Sequence, residues 1–293
     1  MQQAISSGDL VVIASSNTTD AQAEAPISAR AGLPTVYLGS LATGITESGS
    51  TQYENNYLQV APISSYDSWV GKYLQAHTIG TVAGIYDSDN AASVQAIPEA
   101  LPQLAAKYGF KVASINATAT TSNDTASVVT KTLTSHPQAV DINVAGPQNA
   151  TIVSELRDDG FTGLIIGGRG MNTQILAPAG AKANGIIWPT DFDASEGGAA
   201  AQQFVSQYEA VYNLPPNPLS AAGYDAVWLV ARAIKEESTY SRSGLDAALN
   251  KVTSVGFSGV LGQLHYINRV LQDPGLLVEY QNGKITAIPG YGG

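Results

Sequence analysis

The chain has 293 residues, enough for about two domains at the usual domain size. Fourteen Lys and Arg against 24 Asp and Glu leave a net charge of −10, which repels phosphate backbones and argues against nucleic-acid binding. A 44% hydrophobic, 13% charged composition is too apolar for a disordered chain, and the lack of cysteine excludes thiol catalysis, disulfide scaffolds and cysteine zinc sites. No apolar run approaches the ~20 residues of a membrane-spanning helix.

Short apolar runs alternate with helical stretches. The opening residues 1–7 give one or two helical turns, closed by Gly8-Asp9. Seven residues are too few for a stable isolated helix, so they resemble the last turns of a longer one. Strands are predicted at 10–15, 34–38, 81–86, 111–115, 139–144, 163–167, 185–188 and 276–281, where residues are β-branched and bounded by Gly, Pro or Asp. Helices are predicted at 20–31, 66–77, 91–108, 123–135, 148–159, 172–179, 198–212, 219–237 and 243–252. Within 91–108, Pro98 and Pro102 each threaten a kink. Thr19-Asp20 supplies an N-cap, and Gly109 and Gly160 supply C-terminal stops, each followed by a phenylalanine and a strand. Such alternation predicts α/β architecture, with parallel sheets covered on both faces.

Signals for catalysis are sparse. His77, His136 and His265 lie far apart, none with a metal partner at i+4. There is no Gly-x-Ser-x-Gly elbow and no Walker loop, and Gly168-Arg169-Gly170 lacks the third glycine of a dinucleotide fingerprint. Asp87-Ser88-Asp89 starts like a calcium loop, but its glycine and closing glutamate are missing. The chain is therefore read as a non-enzyme, without metal or cofactor.

In an open parallel sheet, ligands bind beyond the carboxyl ends of the strands. After the first strand comes Ser15-Ser16-Asn17-Thr18-Thr19, whose hydroxyls and helix-start N–H groups suit a carboxylate; simple capping is the alternative. After the second comes Gly39-Ser40-Leu41-Ala42-Thr43, small enough to expose backbone N–H groups. Later strand ends carry Asp87-Ser88-Asp89-Asn90, Ala145-Gly146-Pro147-Gln148 and Gly168-Arg169-Gly170. Arg169 can pair bidentately with a ligand carboxylate, or else bridge to an Asp or Glu of the protein. Tyr37 and Tyr86 lie near strand ends, where they can line a cleft or pack in the core.

Ile13-Ala14-Ser15-Ser16-Asn17-Thr18 followed by Ala29-Arg30-Ala31-Gly32-Leu33-Pro34 resembles the "G-P-x-S-S … A-x-x-A-G-V-P" stretch of type I periplasmic binding proteins. The branched-chain amino-acid (Leu/Ile/Val) substrate-binding proteins of ABC importers are the nearest group. Val82–Asp87, Gly160–Gly167, Ala222–Val227, Gly259–Gln263 and Tyr280–Lys284 are similar to later segments of the family, in order. The resemblance implies two α/β lobes joined by three crossovers, near 58–62, 189–193 and 264–272, closing on a ligand. Lobe one is then 1–60 plus 193–265, and lobe two 61–192 plus 266–293. It also implies that the family's first strand–helix–strand unit has no counterpart here, making the strand at 10–15 a sheet edge and the chain a fragment or truncated product.

Carried over by position, the resemblance implies ligand contacts at Ser16, Asn17, Thr18, Ser40, Leu41, Ala42, Asn90, Ala91, Gly146, Arg169 and Leu219. Thr18 stands where the family holds the amino-acid carboxylate. Ala91 and the region of Gly146 stand where it has tyrosines, and Arg169 stands where it has the acid that meets the ligand ammonium. These departures imply a roomier, more cationic pocket, suited to a ligand with an acid at its second-lobe end or to a non-amino aromatic or aliphatic carboxylate. The implied function is extracytoplasmic capture of a small carboxylate-bearing ligand for an ABC permease, in the periplasm or outside the cell. A ligand-sensing domain of the same fold and an α/β enzyme are the alternatives.

Overall fold

The computed structural model describes residues 1–39, 45–46, 53–122, 124–194, 197–237, 240–273 and 275–292. The chain divides into two units, one of Met1–Pro62 with Glu196–Asp273, the other of Ile63–Ser195 with Pro274–Gly293.

The first unit opens with a short helix, α1 (Gln2–Ser6), and continues through β1 (Val12–Ala14), α2 (Thr18–Arg30), β2 (Thr35–Tyr37) and β3 (Asn56–Leu58). The chain returns to it with α9 (Ala199–Tyr212), α10 (Pro218–Glu236), α11 (Arg242–Val255), β9 (Phe257–Gly259), β10 (Gly262–Ile267) and β11 (Val270–Gln272). The strands form one sheet in the order β1-β2-β3-β11-β10-β9. β1, β2, β3 and β11 run parallel, and β10 runs antiparallel to its neighbours β11 and β9. One core cluster joins α10 and α11 to the sheet through Leu229, Leu249, Phe257 and Leu271; another joins α2 to Tyr37 and Leu58 through Ala21 and Ala25. β1 lies at the sheet edge, paired with β2.

The second unit contains α3 (Ile63–Ala76), β4 (Thr81–Asp87), α4 (Ala91–Val94), α5 (Leu101–Tyr108), β5 (Lys111–Thr118), α6 (Ala126–Leu133), β6 (Ala139–Asn143), α7 (Gln148–Asp158), β7 (Leu164–Gly167), α8 (Thr173–Leu176) and β8 (Ile186–Thr190). After the excursion through the first unit, β12 (Leu276–Gln281) and β13 (Lys284–Gly292) complete it. Its sheet runs β13-β12-β8-β7-β6-β4-β5, parallel from β8 to β5. β12 and β13 add an antiparallel margin. One face packs Val140, Ile142 and Trp188 against α7 and its neighbours through Ile152, Val153 and Leu156. The other packs Val82, Ala139 and Ile166 against α3 and α5 through Val70, Leu74, Leu101 and Leu104. Both units are thus mainly parallel α/β layers, as the alternation predicts.

Helix 91–108 survives its prolines by local adjustment. Residues Gln95–Ala100 form one wide π-type turn around Pro98, and Pro102 falls in the first turn of α5, where its missing N–H costs nothing. Gly109 and Gly160 take the left-handed conformation at φ 83° and 84°, and Phe110 and Phe161 behind them are buried. The cap of α2 is Asn17 rather than Thr19-Asp20: its Oδ1 accepts from the Asp20 N–H at 3.1 Å.

The third crossing lies later in the chain than the sequence implies. β10 and β11 pair as a hairpin, and β11 pairs with β3, so residues 266–273 stay in the first unit rather than in lobe two. The segment 264–272 is a strand pair, not a linker. β3, β9–β11 and β13 carry no strand prediction: β3, β9 and β11 have three residues each, and β13 contains Pro289, a residue tolerated on an edge strand.

Candidate ligand site

In the first unit, the turn after β1 leads directly into α2. Ser15 Oγ accepts from the Asn17 N–H at 2.9 Å and Asn17 caps the helix, leaving Ser16 and Asn17 exposed and Thr18 buried as the first helical residue. Asp20 sits in the same first turn, so a carboxylate of the protein already shares the positive helix end. Gly39 gathers part of the site. A Cβ there would lie 2.6 Å from Leu219 Cδ2 and 3.2 Å from the Ser16 carbonyl oxygen, so the missing side chain lets the end of β2 close onto both Ser16 and Leu219. Leu219, in the first turn of α10, remains 41% exposed and offers an apolar surface beside that turn. Ser40, Leu41 and Ala42 lie outside the described residues. Tyr37 does not line a cleft: it is fully buried, 3.3 Å from Ser28 Oγ, and burial pushes its hydroxyl up to about 12.

In the second unit, Asn90 caps α4, its Oδ1 accepting from Ala92 and Ser93 N–H at 2.9 and 3.3 Å. Ala91 begins that helix, and Ser93 Oγ donates to Asn143 Oδ1 at 3.1 Å. Asn143 ends β6, and Gly168 leaves room for it: a Cβ at 168 would lie 2.8 Å from Asn143 Nδ2. A Cβ at Gly146 would meet nothing within 4 Å, so that position is open. The loop after β4 is closed by its own groups. Thr120 Oγ1 donates to Asp87, and the Asp89 and Thr120 N–H groups donate to Asp87 and Asp89 carboxylates at 3.0 and 3.3 Å.

Arg169 overturns the expected electrostatics. Its side chain is 5% exposed, and its Nε and Nη2 both donate to Oδ2 of Asp191, whose side chain is fully buried. Tyr66 hydroxyl donates to the same oxygen at 3.1 Å, and the guanidinium lies 5.9 Å from the Tyr66 ring centre. Burial alone would lower the Arg169 pKa; the Asp191 charge, then Tyr66, more than offsets it and holds the group above its ordinary value. The cation is therefore neutralised within its own unit, not presented free to a ligand. The bridging alternative was legible in the residue type; its partner, 22 positions on, was not.

Two acids escaped sequence reading. Asp141 sits mid-strand in β6 between buried Val140 and Ile142, so it points to the opposite face, toward α3. Asp67 lies on α3, one turn before buried Val70. Burial raises Asp67 to about 7, and burial followed by the charge of Asp67 raises Asp141 well above its ordinary value. The polar residue inside the apolar β6 pattern was the only hint.

A match to the family model described as periplasmic binding protein spans residues 1–284. Among solved structures, a leucine-binding protein of Thermotoga maritima superposes with TM-score 0.90 at 20% identity, over 99% of this chain and 82% of that one. A branched-chain amino-acid transporter substrate-binding protein of Streptococcus pneumoniae, in complex with isoleucine, gives 0.86 at 21% identity, over 98% and 80%. A solute-binding protein of Rhodopseudomonas palustris, in complex with benzoate, gives 0.86 at 18%, over 98% and 79%. No curated protein matches by sequence. Two units of mainly parallel sheet, strand ends dressed with small polar residues, and a family match along nearly the whole length lead to one conclusion: the chain belongs to the periplasmic binding protein family, with its type I fold.

Proposed function

We propose that this chain is the extracytoplasmic solute-binding component of an ABC importer and captures a small ligand bearing one carboxylate, delivering it to a permease without chemical change. The observation that carries this reading is the family match over residues 1–284. The turn Ser15–Thr18 supports it: hydroxyl and amide groups meet a helix start beside Gly39 and the apolar Leu219, which suits a carboxylate attached to an apolar body. Isoleucine and benzoate, bound by two structural neighbours, both have that form.

The second unit narrows the choice. With Arg169 matched by Asp191, it offers a second ligand carboxylate no free cation at residue 169. A monocarboxylate whose other end is neutral or an ammonium fits better than a dicarboxylate. Calorimetric titration with isoleucine, benzoate and a dicarboxylate such as glutarate tests this. Binding of one of the first two, weakened about tenfold or more in Thr18→Ala through loss of a charge-assisted hydrogen bond, is the expected result. Preferred binding of glutarate, or monocarboxylate binding indifferent to Thr18→Ala, overturns it.

A further inference from the structure

The chain passes between its two units at three places, and the second-unit end of each lies in one contact cluster. The first crossing ends at Ile63, which starts α3, and Tyr66 follows three residues later. The second leaves from the end of β8 through Thr190 and Asp191. The third re-enters at Pro274, and Gly275 follows. Tyr66 donates to Asp191 Oδ2, and Arg169, set in the tight turn after β7 (Met171 N–H to Gly168 O, 2.9 Å), donates twice to the same oxygen. Gly275 presses against both of the other crossings. At φ 62°, a Cβ there would lie 2.8 Å from the Thr190 carbonyl oxygen and 2.8 Å from the Tyr66 ring, so only glycine lets the third segment approach this closely. Leu276 then pairs with Thr190.

We propose that Arg169 is a positioning residue whose ion pair with Asp191, joined by Tyr66, clamps the second-unit ends of all three crossing segments into one body. The geometry is that of a buried tie. Three donor atoms from two residues, Tyr66 on α3 and Arg169 in the turn after β7, converge on one carboxylate oxygen at the end of β8, and Asp191 Oδ1 is left buried with no hydrogen-bond partner. The carboxylate is thus held from one side only, by Arg169 and Tyr66. Without the guanidinium, a buried charge would lose its compensation and pull its segment toward water. Because Tyr66 and Thr190 also pack on Gly275, release of one segment loosens the other two.

Hydrogen exchange read by mass spectrometry tests the clamp in the full chain, using Arg169→Met, Tyr66→Phe and the doubly neutralised Arg169→Met/Asp191→Leu. Exchange in segments 64–68, 190–194 and 275–279 should rise together, about tenfold or more in Arg169→Met and less in Tyr66→Phe, while α7 keeps its protection. The double variant, which removes the stranded charge, should recover most of the protection at 190–194. A rise confined to the turn 167–171 overturns the proposal, as does a uniform rise throughout the second unit. Should Arg169→Met fail to fold, Tyr66→Phe decides alone: unchanged exchange at 190–194 and 275–279 refutes the clamp.

Discussion

Replacing Asp67 by Asn should make the protein more stable at alkaline pH and flatten its pH dependence. Asp67 and Asp141 face the α3 side of the second sheet, over an apolar layer that includes Val70, Leu74 and Ile166. Burial holds Asp67 at about 7 in the folded chain, against an ordinary value of 3.8. Between those values the folded state binds more protons than the unfolded state, so stability is full below about pH 4 and is lost as pH rises through 7. At ~1.4 kcal/mol per pH unit the displacement corresponds to about 4 kcal/mol, and partial solvent access to the carboxyl reduces this to roughly 2–4 kcal/mol. Asp141 shifts in the same direction, so it reinforces the trend. Urea unfolding at pH 5 and pH 8, followed by tryptophan fluorescence, to which Trp188 buried in β8 contributes, measures the difference. About two pH units of that window lie between pH 5 and pH 8, so the wild type should lose roughly 1–3 kcal/mol between the two conditions beyond the change seen in Asp67→Asn. A wild type more stable at pH 8 than at pH 5, or an Asp67→Asn variant with the same slope, would refute the reasoning.

Asp225→Ala should cost about 2–4 kcal/mol by chemical denaturation, because the Asp225 carboxylate accepts the Val260 and Leu261 N–H groups at 2.9 and 3.0 Å and its removal strands both. A loss below about 1 kcal/mol would mean that water replaces it freely. Gly84→Ala should cost about 1–3 kcal/mol, since its Cβ would fall 2.3 Å from Ile97 Cγ2. Combining it with Ile97→Ala should recover part of that loss, and a pair of purely additive losses would count against the steric account.

How much of the site was legible depends on the range of the interaction that makes it. The turns that carry Ser16, Thr18 and Asn90 were legible because a polar turn before a helix is a local signal, and the caps at Asn17 and Asn90 are formed with residues two or three positions away. Leu219 entered only through the resemblance; its place beside Gly39 depends on α10 packing back from 180 residues further along the chain. Arg169 was singled out correctly as an unusual cation but given the wrong neighbour, since Asp191 arrives from the end of the adjacent strand.

The amino-acid sequence by itself determined the α/β alternation, eight of the strands and the glycine stops at Gly109 and Gly160, because periodicity, β-branching and glycine stops act within a few residues. It also pointed to the family, since many loose motifs fall in the family's order along nearly the whole length. Only the tertiary structure decided where the chain changes units and which charges remain free. The β10–β11 hairpin joins the first sheet through β3, some 200 residues earlier, and no local pattern specifies that partner. Likewise a charge at a strand end is free or neutralised according to what the next strand brings beside it, and β8 brings Asp191.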